Sequence, residues 1–210
     1  MFGWLGGTTP LAARMTVLRL ANGELIVHSP IAISAELRGE LNVLGRVGFI
    51  VVPWAHGKFA EEAARAWPGA QLLAAPKPGR GRESVPFSGF LADDPPAAWA
   101  GQVETHSVRG FRLNEVVLFH RPSRTLVITD LCFNIQRAPT RWAELVYRAD
   151  GMWRRFGPSW VIRFLAVSDR AALRESLERI SGWDVRRIVP GHGEILENTG
   201  PAALSTAWHK

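Results

Sequence analysis

The chain has 210 residues, 47% hydrophobic and 21% charged, with a net charge of +6 and one cysteine. That length suits one large domain, and the composition is that of a globular protein rather than a disordered one. The lone Cys132 excludes an internal disulfide framework and fits a reducing, cytoplasmic compartment.

Residues 1–14 have no charged leader before their apolar stretch, so they read as a flexible tail and not a signal peptide. One domain is expected over 15–210. Residues 15–20 and 24–28 are short β-type runs joined through Asn22-Gly23, a hairpin turn pair. Ser34 is placed to cap a helix that carries Leu37, Leu41 and Leu44 on one face and closes at Gly45. Residues 47–52 are an almost unbroken aliphatic run, the pattern of a strand buried on both faces. Apolar runs such as 47–55 fall far short of the roughly 18 residues of a membrane span. An Ala- and Glu-rich helix over 57–67 and a buried strand over 71–75 complete a β-α-β unit.

Residues 76–96, dense in Pro, Gly, Arg and Asp, predict an irregular surface excursion. Strands resume over 102–108, 115–120 and 125–129, the last two joined by the turn sequence 121–124. Beyond Asp130 the pattern becomes helical: Trp142, Leu145, Val146, Ala149, Trp153 and Phe156 recur at helical spacing. Ser168 or Asp169 can cap a further helix that buries Leu173, Leu177 and Ile180. A short strand over 185–189 and a helix over 201–208 finish the chain. Two β-rich halves with helices outside them predict an α/β fold, a four-layer αββα sandwich.

Three strand ends carry side chains suited to chemistry. The strand over 185–189 runs into Pro190-Gly191-His192-Gly193, which sets an imidazole between two glycines. Asp130 ends the strand over 125–129, where a carboxylate can bind a metal, cap the next loop or pair with a cation. His56 lies in the loop after the buried strand 47–52, two residues before Lys58. His28 and His120 sit within strand patterns and read as core or sheet-surface residues. Cys132, close to Asp130, is either a thiolate ligand or a small buried hydrophobe. Ser107 and Ser123 lack a nucleophile-elbow sequence, and there is no phosphate-cradling glycine loop.

Of 25 basic residues only Lys58, Lys77 and Lys210 are lysines, and no basic run exceeds two residues. An arginine-rich solvated surface explains this better than a nucleic-acid stripe. The Trp, Phe and Arg mixture over 141–165 suits internal packing first, with membrane-surface contact or a homodimer surface as rivals.

The positions of His56, Asp130 and His192 resemble the metallo-β-lactamase-like superfamily, and the likeness runs from about Met15 onward. It is strongest for a bacterial branch with a degenerate metal-binding motif. The resemblance implies a hydrolase scaffold that holds two metal ions, usually zinc, between two sheets. The superfamily's His-x-His-x-Asp-His motif falls on residues 54–59 and keeps only His56; Trp54, Lys58 and Phe59 stand at its other three positions. Its next histidine should fall near Arg109-Gly110-Phe111, where there is none. Asp130 matches the bridging aspartate and His192 the last histidine.

Three ligands cannot hold a zinc pair. Two outcomes stay open. In one, His56, Asp130 and His192 bind a single Zn or Fe ion. In the other, which is preferred, the Lys58 ammonium replaces the metals beside Asp130, because a buried carboxylate needs a cation. Catalytic residues are then expected among Asp130, His192, His56 and Lys58. The function is either a hydrolase acting on an ester, amide or phosphoester, or binding of a small-molecule ligand or partner through the old cleft.

Overall fold

The computed structural model describes residues 11–76 and 85–209. The Asn22-Gly23 turn, with Gly23 at φ 84°, folds β1 (Thr16–Arg19) antiparallel onto β2 (Glu24–His28), pairing Leu18 with Ile26. Helix α1 (Ala35–Leu44) starts where Ser34 Oγ accepts from the Leu37 amide at 3.1 Å and ends at Gly45. The aliphatic run is β3 (Arg46–Val52), parallel to β2. Helix α2 (Ala60–Ala66) then crosses over to β4 (Gln71–Ala74), parallel to β3.

A second sheet is built from β6 (Val103–Ser107), β7 (Val116–His120), β8 (Thr125–Val127) and β11 (Arg187–Val189) in the order β11-β8-β7-β6. Within it β8 and β11 run parallel and the other pairs antiparallel. Alternation along the strands sorts side chains into layers. Ile26, Phe49, Val51 and Leu73 of the first sheet meet Val103, Val116, Leu118 and Val127 of the second in a shared core. Trp99, fully buried, packs there edge-on to Phe49 at 5.2 Å. The alternate residues Leu25, Val27, Ile50 and Val52 pack under α1 and α2. On the far side Phe119, Leu126, Ile128 and Ile188 lie beneath α4 (Arg170–Ser181) and α5 (Ala203–His209). The architecture is the αββα sandwich, with each sheet buried on both faces.

Three expectations need correction. Part of the excursion over 76–96 is regular, since β5 (Gly89–Phe90) joins β4 in parallel; residues 77–84 of it lie outside the described residues. The helix after Asp130 is α3 (Arg141–Ala149), and it stops before Trp153 and Phe156. Gly151 at φ 69° turns the chain, the Asp150 carboxylate accepts from the Val161 amide, and Phe156 enters β10 (Phe156–Gly157), which pairs with β9 (Phe133–Asn134). Helix α3 buries Ala143 and Tyr147, one turn apart, while Trp142 and Leu145 face solvent, so the apolar stripe in the sequence is not the packing face. Finally, the N-terminal tail expected over 1–14 is fixed over its last residues. The Arg14 amide and guanidinium donate to Gly191 O and Pro190 O. Residues 1–10 lie outside the described residues. Among the described residues no helix is long and apolar enough to cross a membrane.

Candidate metal centre

The loops that leave β3 of the first sheet and the parallel pair β8 and β11 of the second carry His56, Asp130 and His192 to one place. The sandwich brings together residues 74 and 62 positions apart. One donor atom from each lies within 4.8 Å of the other two. His56 Nε2 is 3.5 Å from Asp130 Oδ2, and His192 Nε2 is 3.4 Å from Asp130 Oδ1. The two imidazoles lie 4.9 Å apart at 51°. Both histidines are buried, and a sliver of the Asp130 carboxylate reaches the surface.

Each imidazole is oriented through its other nitrogen. His192 Nδ1 lies 2.9 Å from Ala12 O, and because a carbonyl only accepts, Nδ1 carries the hydrogen and Nε2 is the lone-pair donor of the neutral ring. The ring also stacks on Phe133 at 5.5 Å. His56 Nδ1 is 2.7 Å from Ser29 Oγ; Ser29, at φ 57°, turns the chain sharply at the end of β2 to present its hydroxyl. Gly191 is needed for close approach, since a Cβ there would sit 3.1 Å from His56 Cε1. Gly193, at φ 88°, lies against the backbone of Asn134, where a Cβ would be 2.1 Å from the carbonyl oxygen.

Beneath Asp130 lies a second carboxylate, Glu115. It accepts from the Thr129 amide at 2.6 Å and the Asp130 amide at 2.9 Å, which fixes the loop that carries the ligand. Burial, with the Asp130 charge adding, pushes the Glu115 carboxyl up to about 7. Burial alone would raise Asp130 too, but the His56 charge and hydrogen bonds from His192 and His56 outweigh it and hold Asp130 well below the ordinary carboxylate range. His28, with Nε2 unpartnered, is pushed down to about 3 by burial and by the His56 charge, so its ring stays neutral.

The expected Lys58–Asp130 ion pair is absent. Lys58 is exposed and its ammonium sits 5.1 Å over the ring of Phe59. An ammonium is strongly hydrated, and the two imidazoles already fill the space against the carboxylate. Cys132 lies in the hydrophobic core beside the second sheet, outside the ligand cluster, with its thiol pushed up by burial and the Glu115 charge. His120, also buried, contacts Ser123 Oγ at 2.7 Å.

Sequence reasoning passed over Ser29, Ala12 and Glu115. Glu115 carried a signal, a carboxylate placed directly before the aliphatic run 116–119. Ser29 precedes Pro30 at a strand end, a turn signal, but nothing local links it to His56. Ala12 acts through a backbone carbonyl, which no side-chain pattern reveals.

The donor set fits a divalent metal: two imidazole nitrogens, each ring oriented through its other nitrogen, and a charged carboxylate, from three separate loops. A sandwich with such donors at its strand ends belongs to the metallo-β-lactamase-like fold class. Solved structures agree. The chain is similar to the DIM-1 metallo-beta-lactamase at TM-score 0.60 and 10% identity, covering 95% of this chain and 87% of that one. It is similar to a metallo-beta-lactamase from Pontibacter korlensis at 0.61 and 15%, covering 94% and 86%. It is also similar to the Flv1 flavodiiron core from Synechocystis sp. PCC6803 at 0.62 and 13%, covering 94% and 51%. Within that fold class, the chain belongs to the family described as Domain of unknown function (DUF4336), which it matches over residues 7–155. No curated protein matches its sequence.

Proposed function

We propose that this protein is a metal-dependent hydrolase of reduced ligand count, holding one divalent ion, zinc or iron, on His56, Asp130 and His192. The observation that carries this reading is the convergence of three donor atoms within 4.8 Å, each from a different loop. With Lys58 turned away, the imidazoles and any cation they bind balance Asp130 among the described residues. A metal there would supply Lewis-acid activation of a water and of an ester, amide or phosphoester substrate.

The chain's own residues have separate tasks. Ser29 and Ala12 hold the two rings so that both Nε2 atoms face Asp130. Glu115 holds the Asp130 backbone. A pocket of about 270 Å³ adjoins His192 through Ala12 and Gly193 and is lined further by Ile135, Arg137, Tyr147 and Glu194. It suits a small substrate with an apolar body, beside the Arg137–Glu194 ion pair at its rim.

Only one group of metal-ligating residues occurs among the described residues, so the site is expected to take one ion and not a pair. Elemental analysis of protein purified without added metal tests this. About one zinc or iron per chain, lost in Asp130→Ala and in His192→Ala, supports it. Two ions per chain, or one that survives both substitutions, would overturn it. A metal-free protein that takes up no zinc or iron on titration would favour the second reading, a ligand-binding protein on the same scaffold.

A further inference from the structure

On the side of the molecule formed by α4 and α5, the chain passes through a single wide π-helical turn over Ile162–Ala166. Such turns are rare and often mark functional sites. This one turns its largest apolar residues outward: Phe164 is 66% and Leu165 65% exposed. Trp160, 39% exposed, stacks against Phe164 at 6.2 Å. Gly151 makes room for that indole, since a Cβ there would lie 2.4 Å from its Nε1. The three side chains form one apolar ridge.

Beside the ridge runs a groove of about 320 Å³ that Phe164 borders. Its floor is apolar, with Val167, Leu173 and Leu177, and its rim holds Arg163, Arg170 and Arg174. No carboxylate lines it, and none of the three arginines is ion-paired among the described residues. Arg170 and Arg174 stand one turn apart on α4, an arrangement that repels unless an anion intervenes. Arg163 donates one arm to Trp208 O, and its Nη1 is buried with no hydrogen-bond partner. The groove therefore holds spare cationic donors above an apolar floor.

We propose that this face docks on an anionic phospholipid bilayer, with Trp160, Phe164 and Leu165 entering the headgroup–acyl boundary and the groove arginines taking lipid phosphate. Amphipathic segments bind bilayers through such a combination of apolar and basic residues. The net charge of +6 favours the approach. Nucleic acid would use the same arginines, but an exposed Leu165 and an aliphatic groove floor offer no face on which bases stack. The ridge residues Trp160, Phe164 and Leu165 fall within the span 141–165 singled out from the sequence, whereas Arg170 and Arg174 lie beyond it on α4.

Flotation with vesicles tests the proposal. The full chain is expected to bind vesicles of phosphatidylcholine mixed with phosphatidylglycerol, to bind phosphatidylcholine alone much more weakly, and to release as salt rises. The pair Arg170→Gln and Arg174→Gln should weaken binding about 30-fold. The pair Phe164→Ser and Leu165→Ser should weaken it about tenfold or more. All four residues are exposed, so the thermal midpoint should hold and separate lost docking from lost folding. Failure to bind the mixed vesicles overturns the proposal, as does equal binding to both vesicle types. So does a serine pair that binds as the parent does, which, with tight binding to a DNA oligonucleotide, would assign the face to nucleic acid.

Discussion

The two halves of the candidate metal centre are supported differently. The second sheet supplies Asp130 and His192 from neighbouring parallel strands, with Val127 paired to Val189 just before them. Backbone groups brace both: Glu115 accepts two amides of the Asp130 loop, Gly193 packs on Asn134, and Ala12 O fixes His192. The first sheet supplies His56 alone, whose Nδ1 lies against the Ser29 hydroxyl and whose amide donates to Pro53 O. Around it stand Trp54, Lys58 and Phe59, a hydrocarbon-rich set with no anionic donor. A ring that leans on a side-chain hydroxyl is open to a single substitution in a way that a ring held by a backbone carbonyl is not. The half with the backbone bracing supplies two of the three donors.

Substitutions graded across the halves sharpen this contrast. The largest effect is expected at Asp130, which both imidazoles face. Asp130→Asn keeps the shape and removes the charge, so metal affinity should fall about 100-fold or more, read by competition with a chromogenic chelator. In the chelated protein the lowered carboxyl has a further signature. Asp130 contributes stability that is complete above its ordinary value near 3.8 and is lost as pH falls through its lower folded value. The asparagine variant should lack that acid limb in urea titrations.

Next in size is Glu115. Glu115→Ala leaves two buried amides without an acceptor and should cost roughly 2–5 kcal/mol in the chelated protein. Its pH dependence has the opposite sign to that of Asp130. Because folding raises this carboxyl from 4.5 to about 7, the stability it contributes is complete below 4.5 and declines as pH rises to about 7. His28 works against that trend, since its lowered value costs stability as pH falls below 6.5. The measurement is therefore the difference between the parent and Glu115→Gln across pH 4.5 to 7. A difference that does not vary with pH would mean that Glu115 titrates as in the unfolded chain.

Ser29 tests the weaker half. Ser29→Ala removes the hydroxyl against His56 Nδ1 and should lower metal affinity about tenfold with little change in stability. Ser29→Gly relieves the positive φ as well, so it should bind metal as weakly as the alanine variant while folding at least as stably. An affinity unchanged in both would mean that His56 is held by its surroundings and not by this contact.

Much of this was legible in the chain. The turn at Asn22-Gly23, the cap at Ser34, the two-face burial of β3 and the buried stripe of α4 rest on local chemistry, and each stands where its residues put it. The clustering of His56, Asp130 and His192 was readable from their strand-end positions together with the resemblance to the metallo-β-lactamase-like pattern. The failures share a cause. Trp142 and Leu145 satisfy helical periodicity, yet α3 buries Ala143 and Tyr147, because Phe133, Ile135 and Met152 decide which face is covered. The fixed end of the N-terminal tail depends on Arg14 reaching the loop at Pro190, 176 positions away. Contacts of that range leave no mark in any local window.

The smallest effect is expected at Lys58, and it bears most directly on how Asp130 is balanced. If the ammonium replaced a metal, Lys58→Met would leave a buried carboxylate uncompensated, a change worth several kcal/mol. The structure sends Nζ over Phe59 and leaves Asp130 to the two imidazoles. Lys58→Met should therefore alter stability by less than about 0.5 kcal/mol and leave metal content unchanged. A large loss of stability confined to the chelated protein would restore the lysine to the carboxylate. A loss of metal with stability intact would instead mean that the hydrated ammonium shapes entry to the site. An unchanged variant leaves the imidazoles, with any ion they bind, as the counter-charge of Asp130.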